Sequence, residues 1–337
     1  MSDTDMPSIA FFDAKPYDRE YFDRLNEDFG FRITYFDSKL SSETAHISRG
    51  YDAVCIFVND TIDAEVASIL REGGVKLVAL RCSGYNNVDI AALEPDVQVV
   101  RVPAYSPHAV AEYALALMLT LNRKTHRAFY RTRDNNFSLT GLVGFDMHGK
   151  TAGIIGTGKI GRITAELLRG FGMRVLAQDL YPNHEWAQAH GVEYVDQPTL
   201  YRESDMISLH CPLTPENLYM INKGTLSLMK PNVMIVNTGR GKLINSSDLL
   251  DALKNRTVAG AALDVYEEET EYFFEDHSTR IMEDDVLARL MTFPNVLVTS
   301  HQAFFTHEAL ENIADTTLGN VRLFFESGDM PNRVAAP

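Results

Sequence analysis

Apolar residues in the first part of the chain fall into short runs separated by longer stretches with helical spacing. The strand-like runs occupy residues 9–12, 54–58, 77–80 and 97–100. Amphipathic stretches such as 17–29 and 62–70 lie between them. Strands that alternate with helices are typical of a parallel sheet covered by helices on its faces. The pattern therefore predicts an α/β unit in this part of the chain.

The same alternation returns further along the chain. Strand-like runs occupy residues 152–155, 174–179, 206–209, 233–236, 258–263 and 296–299. Ser106 and Pro107 are a typical N-cap and first helical residue, so they predict a helix that continues to Leu121. A last amphipathic helix is predicted over 306–325. The second set of runs indicates another α/β unit with a parallel sheet.

A glycine motif stands at the first strand of this second unit. Gly156 permits a tight turn, Gly158 lets the backbone approach a pyrophosphate, and Gly161 lets the following helix pack closely on the sheet. The start of that helix offers N–H groups and a positive dipole end to phosphates. A purely structural turn is the alternative. The order of strand, glycine turn, helix and second strand favours dinucleotide binding.

Asp179 ends the second strand of this unit, at the spacing expected for the acid that binds the adenosine ribose. Its carboxylate would accept hydrogen bonds from both ribose hydroxyls and would repel a 2′-phosphate. Asp179 therefore predicts NAD, and not NADP, as the cofactor.

Composition narrows the class of protein. The 337 residues are 45% hydrophobic and 23% charged, as in soluble globular proteins. The net charge of −15 argues against nucleic acid or an anionic membrane as a partner. Three scattered cysteines show neither metal-ligand spacing nor a disulfide framework, so no metal is expected. Since no signal segment is visible at the N-terminus, we expect a cytoplasmic protein.

Residues with candidate chemistry follow three later strand runs. Arg240 follows 233–236, an acidic run at 267–269 follows 258–263, and His301 follows 296–299. The carboxyl ends of parallel strands share one edge of a sheet, so these groups are expected to converge. Arginine can bind a carboxylate in a bidentate manner, and histidine exchanges a proton near neutral pH. Taken singly, each of these residue types is more often a surface or structural residue than a catalytic one.

Two other stretches leave alternatives open. The loop after the run 77–80 contains Ser83 and Gly84, which would offer backbone N–H groups to an anion or form a plain polar turn. His210 also follows a strand and is the main rival of His301, although no carboxylate partner is evident in its sequence. Its neighbour Cys211 is interpreted as a packed thiol and not as a nucleophile.

Four stretches together resemble the D-isomer-specific 2-hydroxyacid dehydrogenases, and the resemblance extends over essentially the whole chain. They are TAGIIGTGKIG from residue 151, NTGRG from 237, DVYEEE from 264 and HQAF from 301. Three others resemble the fermentative D-lactate dehydrogenase branch of that family. These are VPAYSPHAVAE from residue 102, RTRDNNFSL from 131, and FFED from 273 before DDVL at 284.

The resemblance implies an α/β fold of two Rossmann-like or flavodoxin-like parallel-sheet domains with an active-site cleft between them. The substrate domain would be discontinuous, made of 1–105 plus 302–337, and 106–301 would be the NAD-binding Rossmann domain. The helix that begins after Ser106 would be a subunit contact. A homodimer or homotetramer is therefore expected.

The resemblance also assigns roles to residues. Arg240 would bind the substrate carboxylate and polarise the carbonyl, His301 would be the acid/base, and Glu269 would be its partner. Ser83, Gly84 and Tyr105 would bind the substrate together with Arg240. The cofactor would contact Gly156, Gly158, Lys159, Ile160, Gly161, Asp179, Cys211, Pro212, Thr238, Gly239 and Asp264.

The implied activity is reversible hydride transfer between NADH and pyruvate, giving D-lactate. One alternative is a dehydrogenase for a bulkier 2-keto acid, because the sequence does not show the size of the pocket. Another alternative is a non-catalytic protein that binds NADH as a sensor.

Overall fold

The chain forms two compact α/β units. The structure, a computed structural model, describes residues 6–268 and 272–336. One unit comprises Met1–Ser106 with Phe305–Pro337, and the other comprises Pro107–Phe304. Each unit contains a sheet whose strands are all parallel. The predicted fold class is confirmed, whereas the predicted limits of the substrate and cofactor domains stay a prediction.

The first unit is built on a five-stranded sheet with the order β2-β1-β3-β4-β5. Its strands are β1 (Ser8–Phe11), β2 (Arg32–Tyr35), β3 (Ala53–Ile56), β4 (Leu77–Leu80) and β5 (Gln98–Val100). Its first helices are α1 (Pro16–Asn26), α2 (Ala64–Glu72) and α3 (Ile90–Leu93). This strand order is that of flavodoxin-like folds, in which ligands bind where the order reverses.

Burial along the strands of the first unit explains which of them were predicted. Every residue of β1, β3 and β4 is buried, as expected for strands covered on both faces. The edge strand β2 alternates exposed and half-buried residues, so it lacks the apolar run that marks the others. The sequence pattern did not indicate β2 for this reason.

The second unit is built on a seven-stranded sheet. Its helices are α4 (Pro107–Arg123), α5 (Thr125–Arg133), α6 (Lys159–Gly170), α7 (His184–His190), α8 (Gln197–Glu203), α9 (Lys223–Leu226), α10 (Ser246–Lys254) and α11 (Asp285–Met291). Its strands are β6 (Thr151–Ile155), β7 (Arg174–Gln178), β8 (Val192–Tyr194), β9 (Met206–Leu209), β10 (Met234–Asn237), β11 (Gly260–Leu263) and β12 (Val296–Val298).

The order of this sheet is β12-β11-β10-β9-β6-β7-β8. This is the Rossmann order with an additional strand, and the order reverses between β6 and β9. Alternate residues of the central strands point into two different cores. Ile155, Ile207 and Ile235 belong to one core, and Ile154, Met206 and Val236 belong to the other. Helices therefore cover both faces and leave the carboxyl edge of the sheet for chemistry.

The last helix, α12 (His307–Ser327), belongs to the first unit. The side chain of Thr306 caps it by accepting a hydrogen bond from the N–H of Ala309, and Gly328 ends it with a φ of 73°. The predicted helix at 17–29 ends earlier than expected, at Asn26. The Asn26 side chain exchanges two hydrogen bonds with the backbone of Phe31 and so turns the chain.

The helix predicted after Ser106 packs into the core of the second unit. Ala114, Leu117, Met118 and Leu121 of α4 belong to the core that also contains Ala165 and Leu168 of α6. None of the helices in the described residues combines the length and apolar character that a membrane span requires.

A buried cluster of charged groups lies where the strand order of the first unit reverses. The guanidinium of Arg81 is only 2% exposed, and its Nε lies 3.4 Å from the carboxylate of Asp18. It also donates to the backbone oxygen of Asp13 at 2.8 Å and stacks on Phe11. Burial raises the pKa of Asp60 to about 6, although the charge of Arg81 opposes this shift. Arg81 thus compensates the buried acids Asp18 and Asp60, whereas Asp13 also pairs with Lys15 at 2.8 Å.

We predict that Arg81→Met destabilises the first unit strongly, because it leaves buried carboxylates without their cation. Breaking a buried ion pair costs about 3–5 kcal/mol of unfolding free energy. Arg19→Met is the matched control, since Arg19 and Asp37 form an exposed pair with side-chain exposures of 41% and 86%. Loss of an exposed pair costs about 0–1 kcal/mol. Equal losses for both variants in urea unfolding would contradict the assignment.

Candidate active site

The glycine turn after β6 is closed against the loop after β9. Gly156 has a φ of 92°, and a Cβ there would lie 2.6 Å from the backbone nitrogen of Cys211. A Cβ at Gly161 would overlap the backbone oxygen of Gly156. Both positions therefore need glycine for the fold itself. The turn lies at the point of strand-order reversal, where open α/β sheets bind ligands.

The middle glycine of the motif differs from the other two. A Cβ at Gly158 would meet no atom within 4 Å, and its φ of −66° is open to any residue. The protein itself therefore does not require glycine at this position. No side chain caps the N-terminus of α6, so the first N–H groups of this helix are available to an anion. Exposed Gly158 and Lys159 fit a pyrophosphate at this place.

Asp179, the residue after β7, is already held by the glycine turn. Its Oδ2 accepts hydrogen bonds from the N–H and the hydroxyl of Thr157, and its Oδ1 accepts one from the N–H of Tyr181 at 2.8 Å. Burial alone would raise the pKa of Asp179, but these hydrogen bonds outweigh it and lower the pKa. The carboxylate is therefore ionised and oriented.

The loop after β9 places His210 and Cys211 beside the glycine turn. His210 shares a hydrogen bond of 2.9 Å with the hydroxyl of Ser208, and burial lowers its pKa to about 4. It is therefore neutral at physiological pH and poorly suited to donate a proton there. Burial raises the pKa of the Cys211 thiol to about 11, which agrees with a packed thiol. Pro212 follows on the exposed side of the loop.

The turn after β10 presents Thr238, Gly239 and Arg240. The side chain of Asn237 shapes it by accepting from the N–H of Gly239 and donating to the backbone oxygen of Arg240. Thr238 is 7% exposed, and within the described residues its hydroxyl has no hydrogen-bond partner. A buried hydroxyl without a partner is costly, so this group fits a bound polar ligand such as the cofactor.

Arg240 itself is a half-buried residue at the end of this turn. One of its terminal nitrogens donates to the backbone oxygen of Gly239 at 2.8 Å. In the described part of the chain, no carboxylate forms a salt bridge with it. Its other N–H donors can therefore bind an anionic substrate in the bidentate geometry typical of arginine.

Asp264, the residue after β11, folds the loop that carries His301. Its buried carboxylate accepts hydrogen bonds from the hydroxyl of Thr299 at 2.6 Å and from the N–H groups of Gln302 and Ala303 at 2.9 Å. Its backbone oxygen accepts from the N–H of His301 at 2.7 Å. Asp264 thus determines where His301 lies, and its predicted contact with the cofactor stays a prediction.

His301 is half-buried and has a φ of 53°, which is unusual for a residue other than glycine. Its ring lies 5.9 Å from that of Phe274. Since β12 neighbours β11, and β11 neighbours β10, the loops that carry His301, Asp264 and Arg240 follow adjacent strands. Glu269, the predicted partner of His301, lies outside the described residues.

Ser83, Gly84 and Tyr105 belong to the first unit. The loop after β4 is fixed by Arg101, which donates to the backbone oxygen of Ser83 at 2.8 Å and stacks on Tyr85. Within the described residues, the N–H groups of Ser83 and Gly84 have no acceptor. This geometry favours an anion-binding loop over a plain polar turn.

Sequence reasoning did not identify two residues that shape the candidate cofactor site, Thr157 and Tyr194. Thr157 donates twice to Asp179, and its hydroxyl lies 2.6 Å from that of Tyr194. Thr157 occupies a position that the glycine motif leaves open to any residue. Tyr194 ends β8, an edge strand of three residues with no apolar run. The sequence therefore contained no pattern that linked the two.

Comparisons with known proteins agree with this geometry. A protein-family model described as "D-isomer specific 2-hydroxyacid dehydrogenase, NAD binding domain" matches residues 115–303. The chain is 53% identical over 327 residues to the D-lactate dehydrogenase of Escherichia coli (strain K12), which covers 97% of this chain and 99% of that protein. The family resemblance found in the sequence is thereby confirmed.

Solved structures give the same result. The apo-structure of D-lactate dehydrogenase from Escherichia coli has a TM-score of 0.89 at 51% identity, covering 97% of this chain and 100% of that chain. The NAD complex of a D-isomer specific 2-hydroxyacid dehydrogenase from Lactobacillus delbrueckii ssp. bulgaricus has a TM-score of 0.81 at 29% identity, covering 97% and 99%. The prediction of NAD as the cofactor is confirmed by these similarities.

The glycine geometry yields a paired prediction. Gly158→Ala should weaken NADH binding about tenfold or more, because one inserted methyl group in a packed interface costs about 1–3 kcal/mol. It should not lower the melting temperature, since the added Cβ meets no protein atom. Gly161→Ala should lower the melting temperature, because its Cβ overlaps Gly156. NADH titration and thermal unfolding of both variants test this, and a Gly158→Ala protein that binds NADH normally would contradict it.

Proposed function

Because the chain belongs to the family of D-isomer-specific 2-hydroxyacid dehydrogenases, we propose that it is an NAD-dependent D-lactate dehydrogenase that interconverts pyruvate and D-lactate. Similarity to the Escherichia coli D-lactate dehydrogenase over nearly the whole length of both chains is the observation that carries this proposal. The arrangement of Arg240, Asp264 and His301 after adjacent strands supports it.

The second unit supplies the residues that would hold the cofactor. The N–H groups at the start of α6 would bind the pyrophosphate, and the ionised carboxylate of Asp179 would bind the adenosine ribose. The buried hydroxyl of Thr238, which has no hydrogen-bond partner within the described residues, would form a hydrogen bond with the cofactor. When bound, NADH supplies the hydride for the keto carbon.

Arg240 would bind the carboxylate of the keto acid and polarise its carbonyl. Within the described residues its guanidinium makes one hydrogen bond, to the backbone oxygen of Gly239, so its other N–H donors can bind a substrate. The N–H groups of Ser83 and Gly84, with Tyr105, would bind the same carboxylate. A cation is needed locally because the protein carries a net charge of −15, which would otherwise repel an anionic substrate.

His301 would donate a proton to the carbonyl oxygen during reduction and take it back during oxidation. Its loop is fixed by the hydrogen bonds of Asp264, so the backbone that carries the imidazole is held in place before substrate binds. Glu269 would orient the ring and favour its protonated form, as a nearby carboxylate does.

We also infer a homo-oligomer, either a dimer or a tetramer. Exposed apolar side chains cluster in sequence along α5 and the segment that follows, which is a feature of subunit contacts. They are Phe129, Tyr130, Phe137, Leu139 and Val143. The three cysteines are free, which supports the proposed reducing cytoplasmic location.

The activity is tested by NADH oxidation with pyruvate beside larger 2-keto acids, namely 2-ketoisocaproate and phenylpyruvate. The proposal predicts the highest kcat/KM for pyruvate. A much higher kcat/KM for the larger acids would instead show a dehydrogenase for a bulkier D-2-hydroxy acid. No turnover with any of them, despite tight NADH binding, would indicate a binding protein.

His301→Gln should lower kcat by about a hundredfold or more, the usual contribution of a general acid/base, and leave NADH binding intact. Glutamine keeps the hydrogen-bonding character of the side chain but cannot exchange the proton. Steady-state kinetics and NADH titration measure the two effects. His210→Gln is the comparison, and a loss of turnover in that variant alone would transfer the role to His210.

A further inference from the structure

Tyr194 is linked to Asp179 through the hydroxyl of Thr157. The Thr157 hydroxyl lies 3.0 Å from Asp179 Oδ2 and 2.6 Å from the hydroxyl of Tyr194. The hydroxyl of Tyr194 accepts a hydrogen bond from the N–H of Asn183 at 3.2 Å. Four groups, from the segments after β6 and β7 and from the last residue of β8, thus form one continuous chain of hydrogen bonds.

The two ends of this chain fix its direction. An ionised carboxylate only accepts, so Thr157 must donate its single hydroxyl proton to Asp179. The backbone N–H of Asn183 only donates, so the oxygen of Tyr194 must accept this hydrogen bond. Tyr194 therefore has to donate its proton to Thr157. The order of donation runs from Asn183 through Tyr194 and Thr157 to Asp179.

The location of these residues makes this chain of hydrogen bonds rigid. Thr157 is 2% exposed and belongs to the glycine turn, and Tyr194 lies in register with Ala177 of β7. Asn183 caps α7 by accepting from the N–H of Trp186 at 2.9 Å. The hydroxyl of Tyr194 is thus bonded to the backbone of Asn183 on one side, and the hydroxyl of Thr157 lies between Tyr194 and Asp179. A hydroxyl that accepts a hydrogen bond also becomes a stronger donor in the next one.

We propose that Tyr194 is a positioning residue for cofactor selection. The hydroxyl of Tyr194 donates to that of Thr157, and the proton of the Thr157 hydroxyl therefore stays directed toward Asp179 Oδ2. This hydrogen bond holds the carboxylate in one orientation. The other oxygen, Oδ1, is thereby presented to the ribose hydroxyls, and the fixed negative charge rejects a 2′-phosphate. This inference rests on the proposed function, in which Asp179 binds the adenosine ribose of NAD.

Tyr194→Phe removes only the hydroxyl and keeps the ring, which packs edge-on against His184. We expect the KM for NADH to rise about two- to tenfold, the equivalent of one net hydrogen bond. The KM for NADPH should not rise, so the preference for NADH over NADPH falls by the same factor. Because Tyr194 touches no reacting atom, kcat and the KM for pyruvate should be unchanged. A merely structural role would instead lower stability without changing the cofactor preference.

Variants of Thr157 test whether Tyr194 acts through it. Thr157→Val removes the hydroxyl and should reduce the preference at least as much as Tyr194→Phe. Adding Tyr194→Phe to Thr157→Val should cause no further loss, because the intermediate hydroxyl is already missing. Thr157→Ser restores the hydroxyl and should recover most of the preference that Thr157→Val loses. Additive losses in the double variant would overturn the proposed chain.

Two further variants separate the possible failures. Tyr35→Phe is a matched control, since Tyr35 donates to Asp23 at 2.7 Å in the first unit and should not influence cofactor preference. Asp179→Ala should reduce the preference for NADH. If it does and Tyr194→Phe does not, the inference about Tyr194 is wrong and the proposed function stands. If Asp179→Ala has no effect either, the ribose assignment of Asp179 fails together with the inference.

Discussion

The carboxylate of Asp264 is the interaction on which the candidate catalytic loop depends. It lies fully buried at the end of β11 and accepts three hydrogen bonds from Thr299, Gln302 and Ala303. These residues surround His301 in sequence, and the backbone N–H of His301 is bonded to Asp264 as well. The unusual backbone of His301 is therefore held by a single acid on the neighbouring strand, and the proposed proton transfer requires that acid.

The same principle operates at the other side of the strand-order reversal. Asp179 is oriented by Thr157 of the glycine turn, and the turn itself is closed by the contact of Gly156 with the backbone of Cys211. In both places a carboxylate at the end of a strand holds a loop from an adjacent strand. A parallel sheet provides this opportunity because all of its strands end at one edge. We infer that these two acids prepare the site before cofactor and substrate bind.

The sequence predicted the parts of the fold that local patterns determine. β4 and β9 coincide with the predicted runs, since fully buried strands carry continuous apolar sequence. The glycine turn was predicted from the spacing of its three glycines, and NAD was predicted from the acid Asp179 that follows β7. The edge strands β2 and β8 were not predicted, because half-exposed strands lack such a run.

The sequence predicted which residues could belong to the site, but it did not predict which of them form hydrogen bonds with each other. Arg240 and His301 were selected because they follow strands, whereas the network of Asp264 joins residues more than thirty positions apart and has no local pattern. The low pKa of His210 depends on burial by the folded chain, so the sequence could not separate it from His301. The link between Thr157 and Tyr194 arises in the same way, from strands that meet only in the sheet.

The most direct test of the account is a reduction of pyruvate with NADH that carries deuterium at the transferable position of the nicotinamide ring. The account predicts D-lactate with one deuterium on its hydroxyl-bearing carbon, because hydride passes directly to the keto carbon and the oxygen takes its proton from the protein. L-lactate, or lactate without deuterium at that carbon, would contradict the account. The product is resolved by chiral chromatography and its deuterium content is read by mass spectrometry.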